Sequence, residues 1–281
     1  MTMTPRRSGE ILEALAEVIE NPDPHPAILE ILGLEWTRDG FTELFDFDLP
    51  PFASYYLTIG PVLGGAPVDF LRGLLTAYLR PEQQPAQPDS LAFLLRLLAL
   101  LVHEESWERA NAIFYEAMAP WLGTYTRAVA TFAPPGLRRI GSLLSELHQT
   151  WQDESPPARA LPYLLRHAPP PPATDERKDL VDFLLSPVAS GLLLPRSQLI
   201  RITHQRELGM RPGGRRFSFE SLLDASPEAT LAAVLETVEA QLLWYSVRSS
   251  SVDQWWGDRL THTHAVVSAL LKQVVQAEAP R

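Results

Sequence analysis

The chain has 281 residues, of which 46% are hydrophobic and 21% charged, as in ordinary globular proteins. It contains no cysteine, which excludes disulfides, thiolate zinc sites, iron–sulfur ligation and a cysteine nucleophile. The net charge of −10 lies entirely in residues 1–133, which hold 18 acids and 8 bases, whereas residues 134–281 hold 16 of each. This asymmetry disfavours nucleic acid as a partner of the first half and is compatible with a cationic peptide, whereas plain solubility is the favoured explanation of the asymmetry alone.

The N-terminal residues predict an amphipathic helix. Apolar residues recur at helical spacing behind Ser8, a candidate N-cap: Ile11, Leu12, Leu15, Val18 and Ile19. The pair Arg6-Arg7 resembles a twin-arginine export signal, but glutamates follow it where such a signal has an apolar stretch. No window approaches the roughly 20 apolar residues of a membrane span. We therefore expect a cytoplasmic protein.

Three sequence features follow one another between Phe41 and Phe132. The first is an aromatic-acidic run that contains Phe41, Phe45 and Phe47 among Glu43, Asp46 and Asp48, and it leads into a Pro-Pro-aromatic helix start at Pro50–Tyr56. A Gly64-Gly65 turn and a helix with Pro67 in its first turn come next. Pro88 and Asp89 then open a leucine-rich helix, for which Asp89 or Ser90 is a candidate cap.

Helical periodicity continues to the C-terminus, and no run alternates with the period of a strand. Further helices are predicted at about 104–119, 121–132, 136–152 and 158–167, and then at 175–185, 195–208, 217–224, 227–247 and 252–275. Four consecutive prolines within residues 168–174 favour an extended conformation and predict a linker or strap. We therefore expect an all-α protein with a helical domain over 1–167 and a smaller helical unit over 175–281.

These three features, in this order, resemble the TorD/DmsD/NarJ family of cytoplasmic chaperones, which mature molybdenum-cofactor oxidoreductases. The resemblance implies a TorD-like helical bundle that binds the apo catalytic subunit of such an enzyme through its twin-arginine leader. It also implies that the subunit is held until its cofactor is inserted and is not exported early. The residues beyond 175 resemble an extension found in a subset of the family.

The resemblance also implies a peptide-binding site near two segments. The first is the family's Glu-Pro-(x)-Asp-His-type motif, which here reads Gln87, Pro88, Asp89 and Ser90, so the glutamate and histidine are replaced. Asp89 is either a helix cap or a carboxylate that pairs with a leader arginine. In the second case, we expect Asp89→Lys to weaken leader binding without unfolding the protein.

The second segment is the Pro-Pro-aromatic helix start. Phe52, Tyr55 and Tyr56 offer aromatic surface beside Asp46 and Asp48, which suits a ligand with guanidinium groups followed by an apolar helix. Phe93, on the leucine-rich helix, and Trp121, in the family's Pro-Trp position, complete the candidate site. For each of these aromatics taken singly, ordinary core packing is the favoured alternative, and Trp121 is expected to lock two helices together.

Other chemistries find little support in the sequence. Residues 196–216 hold six arginines and one acid, Glu207, and a helix-turn-helix DNA reader is a minor alternative for this region. His262 and His264 point to different faces of a helix, and His103 lacks the second histidine of a zinc-protease motif. We therefore expect no enzyme activity, no metal and no cofactor.

Two further points stay open at this level. An assembly factor for a leaderless oxidoreductase subunit, as in the NarJ branch, is the main alternative to a leader-binding chaperone. Both a monomer and a homodimer are compatible with the sequence, and the identity of the client enzyme is not encoded in any motif.

Overall fold

The computed structural model describes residues 5–60, 63–154, 160–172, 177–211, 213–246 and 250–278. Within these ranges the protein is all-α, as predicted, and it contains no β-strand beyond one isolated antiparallel bridge between Phe52 and Ser90. None of the described helices combines the length and the apolar character needed to cross a membrane. The chain folds into two compact units. The first comprises residues 1–58 and 62–168, and the second comprises 59–61 and 169–281.

The helices of the first unit are α1 (Pro5–Glu20), α2 (Pro26–Leu32), α3 (Arg38–Phe41), α4 (Ala53–Leu57), α5 (Ala66–Leu75), α6 (Leu91–His103), α7 (Trp107–Ile113), α8 (Ala119–Phe132), α9 (Arg138–Glu154) and α10 (Tyr163–Arg166). Wide π-helical turns continue α3 over Thr42–Asp48 and α7 over Phe114–Met118. Short 3₁₀ turns lie at Pro81–Gln83 and Pro135–Leu137.

Two helix pairs build the core of the first unit. Helix α1 packs along α6, where Leu12, Leu15, Leu94 and Leu98 are completely buried. Helix α8 packs along α9 at a close approach, since a Cβ on Gly141 would lie 2.6 Å from the backbone nitrogen of Ala130. Glycine is therefore required at 141, because any side chain would push the two helices apart.

The second unit contains α11 (Arg177–Leu184), α12 (Pro187–Ser190), α13 (Arg196–Gln205), α14 (Arg215–Ala225), α15 (Pro227–Leu242) and α16 (Ser251–Glu278). Phe183, Phe219 and Trp256 are among its largest fully buried side chains. The buried carboxamide of Gln241 accepts a hydrogen bond from the Leu193 amide at 3.0 Å and donates one to the Leu193 carbonyl at 2.7 Å. This side chain thus satisfies both backbone groups of a residue that lies outside any helix.

Several local predictions require correction. Helix α1 begins at Pro5, so Ser8 lies inside the helix and is not its N-cap. No helix is predicted for the aromatic-acidic run, but the structure is helical over 38–48. The apolar residues Phe41 and Phe45 are buried on one face of this segment. Of the helix predicted over 158–167, only Tyr163–Arg166 is helical among the described residues 160–167, and residues 158–159 lie outside the described part of the chain.

The proline run has no helical structure over residues 168–172, and residues 173 and 174 lie outside the described part of the chain. Within the second unit, the Arg259 guanidinium donates to the Pro169 carbonyl at 2.9 Å and lies 4.6 Å from the ring centroid of Trp255. Burial lowers the pKa of Arg259 below its usual range, although the residue remains a cation. The start of the proline run is thereby fixed to α16.

Candidate functional site

The two segments that carry the sequence motifs of the first unit lie side by side. The amide of Leu91 donates to the Pro51 carbonyl at 2.8 Å, and the amide of Ala53 donates to the Asp89 carbonyl at 3.0 Å. Phe52 and Ser90 form the antiparallel bridge between these bonds. In each of these pairs the two bonded residues are at least 35 positions apart in the sequence. The segments 50–54 and 87–91 therefore form one junction, here called the motif junction.

The prolines of both segments explain why an extended bridge forms between helices. Pro50, Pro51 and Pro88 cannot donate backbone hydrogen bonds, and each disfavours the helical region for the residue before it. The restricted residues are therefore Leu49, Pro50 and Gln87, which keeps both approaches to the bridge out of a helix. Phe52 and Ser90 then have extended backbones, with ψ 131° at both, and each is the residue immediately before a helix. Helices α4 and α6 thus begin at the same place and are held in register by the bridge.

Asp89 caps α4 across the motif junction. Its Oδ2 accepts hydrogen bonds from the Ser54 amide at 3.0 Å and from the Ser54 hydroxyl at 2.5 Å. The prediction that Asp89 caps α6 is therefore wrong. Ser90 occupies the N-cap position of α6, and its side chain makes no capping hydrogen bond. Only 2% of Asp89 is exposed, so its carboxylate does not reach a ligand arginine in this conformation.

Two of the predicted binding aromatics belong to the core. The rings of Tyr56 and Trp121 are fully buried and stack at 5.2 Å between centroids, and the Tyr125 ring meets Tyr56 edge-on at 5.6 Å. The Trp121 indole donates to the Ala117 carbonyl at 3.0 Å, so its polar group is satisfied internally. This cluster packs α4 against α8, which is the structural alternative that the sequence favoured for Trp121.

The other candidates divide by exposure. Asp48 and Pro88 are buried, whereas Asp46 and Gln87 are exposed. Phe52, Tyr55, Ser90 and Phe93 are half-buried. The accessible candidates therefore lie around the rim of the motif junction, and the buried ones, including Asp89 and Tyr56, support it from within.

Phe47 is not among the site residues predicted from the sequence, yet 57% of it is exposed. Phe41 and Phe45 follow one helical stripe, four residues apart, and their rings pack edge-on at 5.1 Å inside the unit. Phe47 is two residues beyond this stripe and so points away from the core. That offset is visible in the sequence, and it becomes informative once the run is known to be helical.

Helices α13 and α14, which carry the arginine-rich region, do not have the geometry of a helix-turn-helix reader. Helices α13 and α14 are separated by residues 206–214, a connection longer than the 3–4-residue turn of that motif. Arg206 pairs with Glu236, and Arg216 pairs with both Asp182 and Glu220. Two charges of the arginine-rich region are thus compensated inside the unit, and the pKa of Arg216 is raised by its bond to Asp182.

Two histidines, His103 on α6 and His264 on α16, each lie near one carboxylate. His103 is 3.6 Å from Glu13, and His264 is 3.4 Å from Glu239. Across the part of the chain that the structure describes, no three His, Cys, Asp or Glu side chains are grouped so that they could hold a metal ion.

Part of the first unit matches a known protein family. Residues 6–127, which extend from the second residue of α1 into α8 and include both segments of the motif junction, match the model of the protein family described as nitrate reductase delta subunit. Neither the curated proteins nor the solved structures gave a significant match to the chain.

Proposed function

We propose that the chain is a molybdoenzyme assembly chaperone of the NarJ/TorD type and binds the apo catalytic subunit of a molybdopterin oxidoreductase. The match of residues 6–127 to the nitrate reductase delta subunit family supports this proposal. The chain holds this subunit in the cytoplasm until the cofactor is inserted, and it acts by binding, not by bond chemistry. The recognised element of the client is its twin-arginine leader, whose arginines are followed by an apolar helix.

The motif junction is the observation that supports this proposal most directly. It brings both family-like motifs to one place, and it leaves Phe52, Tyr55 and Phe93 half-exposed around the bridge. Half-buried aromatic rings offer apolar area to an incoming helix at a low cost in side-chain entropy. The leader's apolar stretch is proposed to lie along these rings, between the starts of α4 and α6.

The acids take different parts in this proposal. Asp46 is exposed and serves as a carboxylate for a leader arginine, to which a charge-assisted bond is strong. Asp48 and Asp89 are buried and act through the fold, Asp89 by capping α4. The net charge of −10 in residues 1–133 adds long-range attraction for a cationic leader.

The decisive experiment is recovery of the full chain from its own cells by an affinity tag, followed by mass spectrometry. We expect a molybdopterin oxidoreductase catalytic subunit to co-purify, more strongly when cofactor synthesis is blocked, because the apo form accumulates. Deletion of the leader from that subunit should abolish co-purification. Recovery of no oxidoreductase subunit under either condition would contradict the proposal.

A second candidate is an assembly factor that grips the body of a leaderless subunit. The matched family is described as nitrate reductase delta subunit, which favours this NarJ-like alternative over the remaining classes. The same experiment separates the two, since a NarJ-like factor would retain the client after the leader is deleted. Size-exclusion chromatography of the complex would also show whether one or two copies of this chain bind each client.

A further inference from the structure

We infer that the proposed leader site extends onto the exposed face of the helical segment 38–48, which precedes the motif junction in the chain. This acidic-aromatic face consists of Asp39, Glu43, Asp46 and Phe47. We propose that it docks the cationic part of a peptide, with two neighbouring arginines on the carboxylates and an adjoining apolar side chain on Phe47. The inference rests on the proposed function and specifies which part of the leader is read here.

The four residues share one face because of their spacing. Helix α3 runs directly into the π-helical turns, so the backbone is helical from Arg38 to Asp48. Asp39, Glu43, Asp46 and Phe47 recur at i, i+4, i+7 and i+8, and all four are exposed. The opposite face is apolar and buried, and it comprises Gly40, Phe41, Leu44 and Phe45.

The carboxylates of this face differ from those of α1 in their partners. On α1, Glu17 and Glu20 pair with Arg96, and Glu13 lies 3.6 Å from His103. Among the described residues, Asp39, Glu43 and Asp46 make no ion pair. The face therefore presents three negative charges to solvent that no side chain of the described structure offsets.

The nearest cation in sequence does not change this balance. Arg38 is directed to Asp23, with 3.4 Å between its Nη2 and the Asp23 Oδ2. Repulsion among three carboxylates on one helix face costs stability, because like charges at i, i+4 are destabilising. A cationic ligand would remove this cost, so its binding is favoured beyond the direct contacts.

Phe47 supplies the apolar half of the surface. Its ring is 57% exposed, on a wide turn of a kind that is rare and recurs at functional sites. An aromatic ring beside carboxylates suits arginine well, since the guanidinium stacks on the ring while its N–H groups bind carboxylate oxygens. Charge complementarity thus selects a cationic segment with an apolar neighbour.

The same charges disfavour the other occupants of an exposed apolar site. A second copy of this chain would bring an identical acidic face into contact with the first, and like charges across an interface are costly. Anionic lipid and nucleic acid are repelled for the same reason. The ligand proposed for this face is therefore the arginine-bearing end of a peptide.

The test uses the full chain and two fluorescein-labelled synthetic peptides measured by anisotropy. One peptide has two adjacent arginines followed by a Phe-Leu-rich stretch, and the other has glutamines in place of the arginines. We expect wild-type protein to prefer the arginine peptide about fivefold, and this preference to fall as salt is raised. Phe47→Ala should weaken both peptides about tenfold. The double variant Glu43→Gln, Asp46→Gln should bind both peptides equally.

Matched controls lie elsewhere on the first unit. Ile31, on α2, is 75% exposed, so Ile31→Ala removes exposed apolar surface from a different helix and should leave both affinities unchanged. Glu108→Gln removes an exposed acid on α7 and should keep the arginine preference. Thermal unfolding by circular dichroism checks that all variants are folded.

The outcomes separate this inference from the proposed function. If wild-type protein prefers the arginine peptide but Phe47→Ala and the double variant behave like wild type, the acidic-aromatic face is not the site and leader recognition stands. If wild-type protein shows no preference between the peptides, leader recognition itself fails and the inference fails with it. Equal loss in the Ile31→Ala control would indicate non-specific apolar binding and would also overturn the inference.

Discussion

Replacement of Asp89 by alanine should destabilise the first unit by about 3–5 kcal/mol, because two buried donors lose their acceptor at once. Both the amide and the hydroxyl of Ser54 donate to the same oxygen, Oδ2, at 3.0 and 2.5 Å. A charge-assisted hydrogen bond contributes about 1.5–3 kcal/mol, and an orphaned buried donor adds its own desolvation cost.

Asparagine at position 89 is the informative comparison. Its carboxamide oxygen can take the place of Oδ2 and accept both bonds, so only the charge is lost, at a cost of about 1 kcal/mol. Ser54→Ala removes the hydroxyl bond alone and should cost about 1–2 kcal/mol. In the Ser54→Ala, Asp89→Ala double variant the two losses should not add, since they share one interaction.

The sequence led us to expect that Asp89→Lys weakens leader binding without unfolding the protein. With 2% of Asp89 exposed, Asp89→Lys would place a longer cation in a buried site that holds two donors and no carboxylate partner. We therefore expect it to destabilise the protein at least as much as alanine does. The expectation that this variant stays folded does not fit the buried position.

Urea unfolding with tryptophan fluorescence measures the global effect. Hydrogen exchange over residues 50–57 reports the opening of the motif junction separately, which matters in a chain of two compact units. The reasoning would be refuted if Asp89→Ala unfolded within about 1 kcal/mol of wild type. It would also be refuted if Asp89→Asn kept full stability but lost leader binding, since that would make Asp89 a ligand contact.

Three further predictions concern single positions. Burial raises the pKa of Tyr125, so above the ordinary tyrosine pKa of about 10 the unfolded state loses a proton that the folded state keeps. Stability should then fall by up to about 1.4 kcal/mol per pH unit, and Tyr125→Phe should lack this component in urea unfolding between pH 9 and pH 11; equal slopes would contradict it. Glu105 has φ +54°, so Glu105→Gly should stabilise by about 0.5–1 kcal/mol, whereas the control Glu104→Gly, at φ −81°, should destabilise by a similar amount; thermal unfolding distinguishes the two. Gln241→Met should cost about 2–5 kcal/mol, because both backbone groups of Leu193 lose their partners; faster exchange of the Leu193 amide checks the mechanism, and an unchanged rate would exclude it.

The helices followed from the sequence because each depends on residues close together in the chain. Apolar spacing, proline at first-turn positions and the absence of strand alternation predicted an all-α protein, and α5, α6, α8, α9 and α13–α16 lie near the predicted positions. The resemblance on which the functional proposal rests was also local, since its motifs are short runs within residues 41–132. The aromatic-acidic run escaped prediction as a helix because a π-helical turn breaks the 3.6-residue period on which such a prediction depends.

The roles of individual residues depended on contacts between segments that are far apart in the chain. Asp89 suits a cap, a ligand contact or both, and the choice was made by the Pro51–Leu91 and Ala53–Asp89 bonds that bring it to Ser54. Tyr55 and Tyr56 are neighbours of equal type, yet the second is core and the first is half-buried, because α4 turns one of them toward Trp121. Side-chain burial is a property of the packed helices as a set, and a linear sequence specifies the face of each helix without specifying what will cover it.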